Sequence, residues 1–251
     1  RLTGRMKADY QIKDWLKVGA NMAYTHYESN QLGDDGSSNS SGNVFALTQM
    51  APIYPLYLRD GNGVIMKDAN GITRYDYGDG SNAGNSRPYL GQSNALSSSI
   101  LDKMNAEGNA ISAVGFFEVR FLKDFKFSST NSVYEMRQTN VTNPYYGQYA
   151  SSNGIAYKYH TRQLSYNYQQ LLNYKKSFGP HNVEAMLGHE SYRYKYYYLY
   201  ASKSNMFDPN NPELIGAILD GSANSYTKDY NTEGYFGRIQ YDFNEKYFVS
   251  G

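Results

Sequence analysis

The run Trp15-Leu16-Lys17-Val18-Gly19-Ala20-Asn21-Met22-Ala23-Tyr24-Thr25 limits what this chain can fold into more than any other stretch. Successive side chains of a strand point to opposite faces. Leu16, Val18, Ala20, Met22 and Tyr24 therefore share one face, and Lys17, Gly19, Asn21, Ala23 and Thr25 the other. Similar alternation recurs down the chain in segments of about ten residues or more. The segments meet at short polar turns on one side and at long Gly/Asn/Ser loops on the other. A barrel in lipid has these properties, and it must pair every backbone N–H and C=O between strands because the hydrocarbon holds no water. The expected fold class is all-β: part of a large antiparallel up-and-down transmembrane β-barrel, with about seven to eight strands of the whole.

Strands are expected at about 2–12, 15–28, 110–121, 125–139, 157–174, 183–200, 226–241 and 247–251. The turns are Lys13-Asp14, Leu122-Lys123-Asp124, Ser177-Phe178-Gly179-Pro180-His181 and Asp242-Phe243-Asn244-Glu245-Lys246. Three long loops, 31–108, 140–154 and 206–220, join the opposite ends, with a short helix expected near 96–104. A structureless loop as long as the first argues against a compact soluble domain, whereas on the outer side of a barrel loops are where binding is done. The last alternating run starts at Tyr247 and stops at Gly251, and a barrel cannot close with cut edges. Residues 1–251 are thus expected to be an internal fragment of a single transmembrane barrel domain, without its plug.

Composition supports a boundary-loving sheet. Tyr occurs 28 times and Phe 11, against one Trp and seven Pro, and the mean hydropathy is −0.69. Tyrosine pairs an apolar ring with a wet tip, which suits a membrane–water boundary or a binding surface. The competing class is a Tyr-rich soluble β-sandwich that binds glycans. Net charge is +1 with no basic block, so nucleic acid is not an expected partner. No cysteine is present, which excludes disulfides, Cys-ligated zinc and thiol catalysis. No apolar run approaches the length of a membrane helix.

Candidate chemistry is sparse. Asp60-Gly61-Asn62-Gly63 and Asp68-Ala69-Asn70-Gly71 miss the third oxygen ligand of a calcium loop and read as hairpin turns. His26, His160, His181 and His189 lack metal-ligand spacing. Glu118, Glu184 and Glu190 are assigned to separate strands, and no nucleophile–base–orienter set accompanies them. No cofactor, metal or catalytic residue is expected, and an outer-membrane enzyme barrel is the least supported class. The alternating tyrosines Tyr192, Tyr194, Tyr196, Tyr198 and Tyr200 read first as an aromatic girdle in the lipid interface and second as a stacking platform for sugar rings. Loop aromatics Tyr75, Tyr77, Tyr145, Tyr146 and Tyr149 are the substrate-binding candidates.

Several motifs carry a family resemblance. Trp15-Leu16-Lys17-Val18-Gly19 opens a strand, and Ala51-Pro52-Ile53-Tyr54-Pro55-Leu56-Tyr57 precedes Asp60-Gly61-Asn62-Gly63 in the first long loop. Gly234-Tyr235-Phe236-Gly237-Arg238-Ile239-Gln240-Tyr241 is followed by a turn and Lys246-Tyr247. In this order they resemble SusC-like (SusC/RagA) TonB-dependent outer-membrane transporters. Where the family loop continues with Asn-Pro, this chain has Asn94-Ala95. The resemblance implies a plugged barrel of about 22 strands in the cell outer membrane, in contact with membrane lipid. It also implies a SusD-like surface lipoprotein partner, energy from TonB through a region outside these residues, and import of oligosaccharides or peptides in nutrient and glycan utilisation.

Sidedness follows from loop length, since short turns of such barrels face the periplasm. A cysteine placed at Ser38 is expected to react with an impermeant thiol reagent on intact cells, and one at Lys123 to be protected. The reverse labelling pattern overturns the sidedness.

Overall fold

The computed structural model describes residues 1–30, 51–69, 71, 73–81, 86–88, 94, 103–143, 154–208, 211 and 213–251. Among them, eight strands form one sheet in chain order. They are β1 (Leu2–Lys13), β2 (Leu16–Asn30), β3 (Lys103–Phe121) and β4 (Phe125–Asn143), then β5 (Ile155–Phe178), β6 (His181–Met206), β7 (Ala217–Phe243) and β8 (Tyr247–Ser250). Every neighbouring pair is antiparallel. The sheet is open, with β1 paired only to β2 and β8 only to β7. This is the up-and-down, all-β fragment that the alternation predicts.

The turns that join consecutive strands at one end of the sheet are tight, closed by the pairs Lys13↔Leu16, Phe121↔Phe125, Phe178↔His181 and Phe243↔Tyr247. Leu122 (φ 50) with Lys123 (φ 61), and Asn244 (φ 52) with Glu245 (φ 55), adopt the left-handed backbone, which is uncommon outside glycine. In the third turn Gly179 supplies the positive φ, 61°.

Strand ends differ from the expected ones. The ladder carries β3 back to Lys103, β4 on to Asn143 and β7 back to Ala217, so the loops are shorter than 31–108, 140–154 and 206–220. Lys103 and Met104 stand in β3 rather than in the expected helix, whose remaining residues 96–102 are not described apart from the strand. The reason is chemical: Asn105, Glu107 and Asn109 put polar groups on the face that is apolar lower down, with Ala106, Gly108 and Ala110 on the other, so the apolar alternation of the lower strand does not continue. Backbone pairing needs no alternation, and Lys103↔Asn143 still pair. Loop residues 31–50 and 144–153 lie outside the described residues.

Register carries the two faces across the whole sheet. Met6 pairs with Met22, Met22 with Ala113, Ala113 with Val133, Val133 with Tyr166, and Tyr166 with Arg193. Directly opposed residues share a face. Starting from the tight turns, that face holds Leu16 to Tyr24 on β2, Phe121 to Ile111 on β3, Phe125 to Val133 on β4 and Tyr174 to Leu164 on β5, at alternate positions. Its apolar groups stand in the open: Met6 is 76% exposed, Leu187 66% and Ile239 61%. The opposite face at the same height carries Asn21, Glu118, Thr130, Gln169, Glu184 and Gln240. A largely apolar band one strand-crossing of lipid high on one face, interrupted by Ser129, Asn131, Gln170 and His189, and polar groups on the other, assign lipid and lumen.

The charged boundary is sharp. The band ends between Tyr24 and His26, Ile111 and Asn109, Val133 and Glu135, Leu164 and Arg162, Ser191 and Arg193, and Tyr235 and Glu233. On β2, β3, β4, β6 and β7 the boundary falls about nine to eleven residues from the tight turns, the length of one tilted membrane strand, and on β5, whose turn projects further, it falls a few residues later. β7 has 27 residues, roughly 90 Å of strand, so β5, β6 and β7 continue far past the band.

Arginine at Val18 or Ile239, on the lipid face, is expected to destabilise the assembled full-length barrel by about 2–4 kcal/mol near the midplane. Asn21→Ala and Gln240→Ala, on the lumen face, are expected to leave it heat-modifiable on gels as before. Equal behaviour of the two pairs in that assay contradicts the assignment of faces.

Candidate functional site

The upper lumen face gathers tyrosines from three strands. Tyr192, Tyr194, Tyr196, Tyr198 and Tyr200 occupy even positions of β6, opposite to the face of Leu187 and Ala185. They therefore line the lumen side, and the lipid girdle expected from the sequence is corrected: the register places this row with Asn21 and Gln240 rather than with Val18 and Ile239. A one-residue difference in parity decides the face, and a lone alternating run of tyrosines does not state its own parity.

The rings touch across strands. Tyr159 of β5 lies 4.9 Å from Tyr200 and 6.4 Å from Tyr198, and Tyr157 stacks on Tyr200 at 6.2 Å. From β7, Tyr226 stacks on Tyr198 at 4.9 Å and an interplanar angle of 26°, and Tyr230 sits 6.3 Å from Tyr192. Such offset contacts add about 0.5–1.5 kcal/mol each beyond area burial, so the rings hold one another in a fixed wall. Lys228 stands over the Tyr226 ring at 5.1 Å, and the Ser222 hydroxyl donates to the Tyr200 oxygen at 3.3 Å. The wall offers flat rings edged with hydroxyls and one ammonium.

Lower on the same face, close packing replaces the hydroxyls. A Cβ at Gly188 would stand 2.3 Å from the ring of Phe236, its directly paired neighbour, and one at Gly19 2.3 Å from the ring of Phe116. Only glycine lets these rings lie flat across the strands. Near the turns, a concavity of about 430 Å³ is lined by Arg120, Lys126, Glu184, Met186 and Arg238 among others. Glu184 pairs there with Lys175. Glu184 and Glu190 share β6 rather than separate strands, six positions or about 20 Å apart along it. Glu190 accepts a hydrogen bond from Asn167 at 3.1 Å. On the opposite, outward face His189 contacts Gln170 at 2.8 Å and Glu233 at 3.0 Å.

The described part of the first long loop is folded upon itself. Leu58 N donates to Arg74 O at 3.0 Å, Met66 N to Leu58 O at 2.9 Å, and Arg74 N to Met66 O at 2.9 Å. Bridges Arg59↔Ile65 and Lys67↔Thr73 close two small hairpins. Their tips are the two Asp-led motifs: Asp60 Oδ1 accepts from Asn62 and Val64 amides at 2.9 Å, and Gly63 and Gly71 take φ values of 81° and 78°. Ser81 donates through its hydroxyl and its amide to Asp79, which holds that carboxyl below the ordinary aspartate range.

Tyr75 is 8% exposed and rests 5.4 Å from Tyr57, and burial with that neighbour pushes its hydroxyl pKa up. Its ring packs the loop. Tyr77 is half-buried, and Tyr145, Tyr146 and Tyr149 lie outside the described residues. Sequence reasoning passed over Asn94, which is wholly buried. Its side-chain amide donates to Leu56 O at 3.0 Å and Asp76 O at 2.9 Å. Arg87, also buried, donates to Asp76 O at 3.2 Å and lies 5.8 Å from the Tyr54 ring. The departure at Asn94-Ala95 thus retains the residue with an amide to give, and no local sequence signal marks its partners, which lie 18 and 38 residues away.

No protein-family model and no curated protein matches the chain. Solved structures do. A chain of the RagAB peptide importer in its "closed-closed" state superposes with a TM-score of 0.73 at 20% identity, and one in its "open-open" state with 0.74 at 19%. A RagAB peptide transporter chain matches at 0.71 and 20%. Each match covers 99% of this chain and 26% of the other, so the chain spans about a quarter of the length of these relatives in fold. The open sheet described here has the fold of part of those chains.

Asn94→Ala removes one of the two donors to each of the Leu56 and Asp76 carbonyls, at a cost of about 0.5–1.5 kcal/mol per bond to the loop alone. In the full-length protein it is expected to raise protease cleavage between 51 and 94 several-fold without changing barrel heat-modifiability. Unchanged cleavage removes the anchoring role.

Proposed function

We propose that this chain is a wall segment of an outer-membrane nutrient importer of SusC-like type, and that the upper tyrosine wall contacts the imported oligosaccharide or peptide. The observation that carries the reading is the parity of the Tyr192 to Tyr200 row: aromatic on the lumen face, at the height where the lipid face has already become charged. Rings presented to an aqueous lumen stack on the apolar faces of sugar rings or on peptide side chains, while their hydroxyls and Lys228 offer hydrogen bonds. The likeness in fold to chains of the RagAB peptide importer supports the reading.

In this proposal Tyr77, Tyr145, Tyr146 and Tyr149 extend the contact surface into the loops, with Tyr75 packing beneath. A SusD-like surface lipoprotein meets the loop side, and TonB drives uptake through a plug encoded elsewhere in the parent gene. The protein works as a transporter and performs no catalysis.

The test is uptake of labelled oligosaccharides and peptides by cells carrying the full-length protein. Tyr198→Ala combined with Tyr226→Ala removes one stacked pair and is expected to weaken substrate binding about tenfold. Leu199→Ala, on the outward face and 53% exposed, is expected to leave uptake unchanged. Equal uptake by the wild type and the double variant, with the barrel assembled, removes the wall from the transport path. A parent gene without plug-coding sequence contradicts the importer reading itself.

A further inference from the structure

Just beyond the apolar band, the outward face of β4, β5 and β6 carries four cations in a connected row. Arg137 and Arg162 are directly opposed across β4 and β5. Arg162 opposes Tyr197 on β6, and Lys195 and Arg193 follow at two-residue steps on the same face. Diagonal neighbours on a sheet stand about 7–8 Å apart, so the row is continuous. Two like charges set directly opposite each other destabilise a sheet. The chain keeps this pair and holds it in place: Glu135 Oε1 accepts from Arg137 Nε at 2.8 Å and from Arg162 Nε at 2.6 Å. Both contacts use Nε, so the terminal nitrogens are not spent on Glu135. Arg162 is further braced over the Tyr197 ring at 5.5 Å.

Carboxylates do not balance the row. Glu135 serves two arginines, Asp229 approaches Lys195 only to 3.9 Å, and Glu233 is the carboxylate whose charge reaches Arg193, so among the described residues three carboxylates face four cations. Arg137 and Lys195 side chains are 57% and 52% exposed. To either side the same height turns acidic, with Glu28 and Glu107 on β2 and β3 and Glu233 on β7. Positive charge is therefore concentrated on one stretch of the belt rather than spread round it.

We propose that this row binds the headgroup phosphate of an anionic outer-leaflet glycolipid, whose acyl chains lie against the apolar band directly below. The inference rests on the membrane reading above. Height selects the occupant: Val133, Leu164 and Ser191 are the last band residues on these strands, so the cations stand where lipid headgroups begin. Two planar guanidiniums fixed by one carboxylate present paired donors to a tetrahedral anion, and lipid chains continuous with the band bind the same molecule at a second point.

The test uses the full-length protein purified in detergent and mixed with lipid A, with lipid A stripped of its phosphate, or with inorganic phosphate. Retained lipid is measured by mass spectrometry, and assembly by heat-modifiability. Wild type is expected to retain phosphorylated lipid A about thirtyfold more tightly than R162Q/R193Q, at the usual worth of each cation near a charged lipid surface. The lumen-facing Lys126→Gln is expected to retain it as wild type does. Equal retention of the two lipids by wild type, or equal retention by wild type and R162Q/R193Q, overturns the inference. Saturation of the site by inorganic phosphate alone, with no gain from acyl chains, overturns the lipid assignment. A wild type that is not heat-modifiable overturns the membrane reading and this inference together, whereas a heat-modifiable one that ignores the phosphate overturns this inference alone.

Discussion

The backbone ladder between adjacent strands is the interaction on which the rest of this structure depends. It runs through β3 and β4 for 19 residues each and through β5 and β6 from Ile155↔Ser204 to Phe178↔His181 without a shift. Its irregularities are few, between Gln11 and Lys13 and between Ala201 and Lys203. Because side chains alternate with period two, a ladder without bulges transmits one choice of face across every strand it joins. A single slip would turn the apolar band inward and the tyrosines outward.

The consequence is that one stretch of chain serves two media at once. In Tyr192-Arg193-Tyr194-Lys195-Tyr196, alternate residues are rings for the lumen side and cations for the outside. Neither property requires the other. They coincide because β5, β6 and β7 run on past the lipid-length band, where the outward face no longer has to be apolar and the inward face no longer has to fit against neighbours near the turns. The long strands replace what the sequence pattern reads as loop, and they build a rigid collar from backbone hydrogen bonds.

Within the first long loop a different device supplies order. Short hairpins closed by Asp-led turns create paired backbone, and Asn94 gives a second donor to the carbonyls of Leu56 and Asp76, which also accept from the Asp76 amide and from Arg87. Arg87 adds a charged donor to the same knot.

The sequence by itself determined the fold class, the tight turns and the apolar face of each strand near those turns, because there lipid imposes strict alternation and the turn chemistry is local. It identified the Asp60 and Asp68 motifs as hairpin tips for the same local reason. It missed the upper ends of β3, β4 and β7, where the outward face turns polar and the apolar alternation stops. It placed the Tyr192 to Tyr200 row on the wrong face, because a run of tyrosines at every second position is compatible with either medium and only register against β5 and β7 chooses. Asn94, the opposed Arg137 and Arg162, and the shared Glu135 were likewise decided by tertiary structure: their partners lie 18 to 38 residues away for Asn94 and 27 for Arg162, and hydrogen bonds across such separations exist only once the ladder has fixed which residues stand side by side.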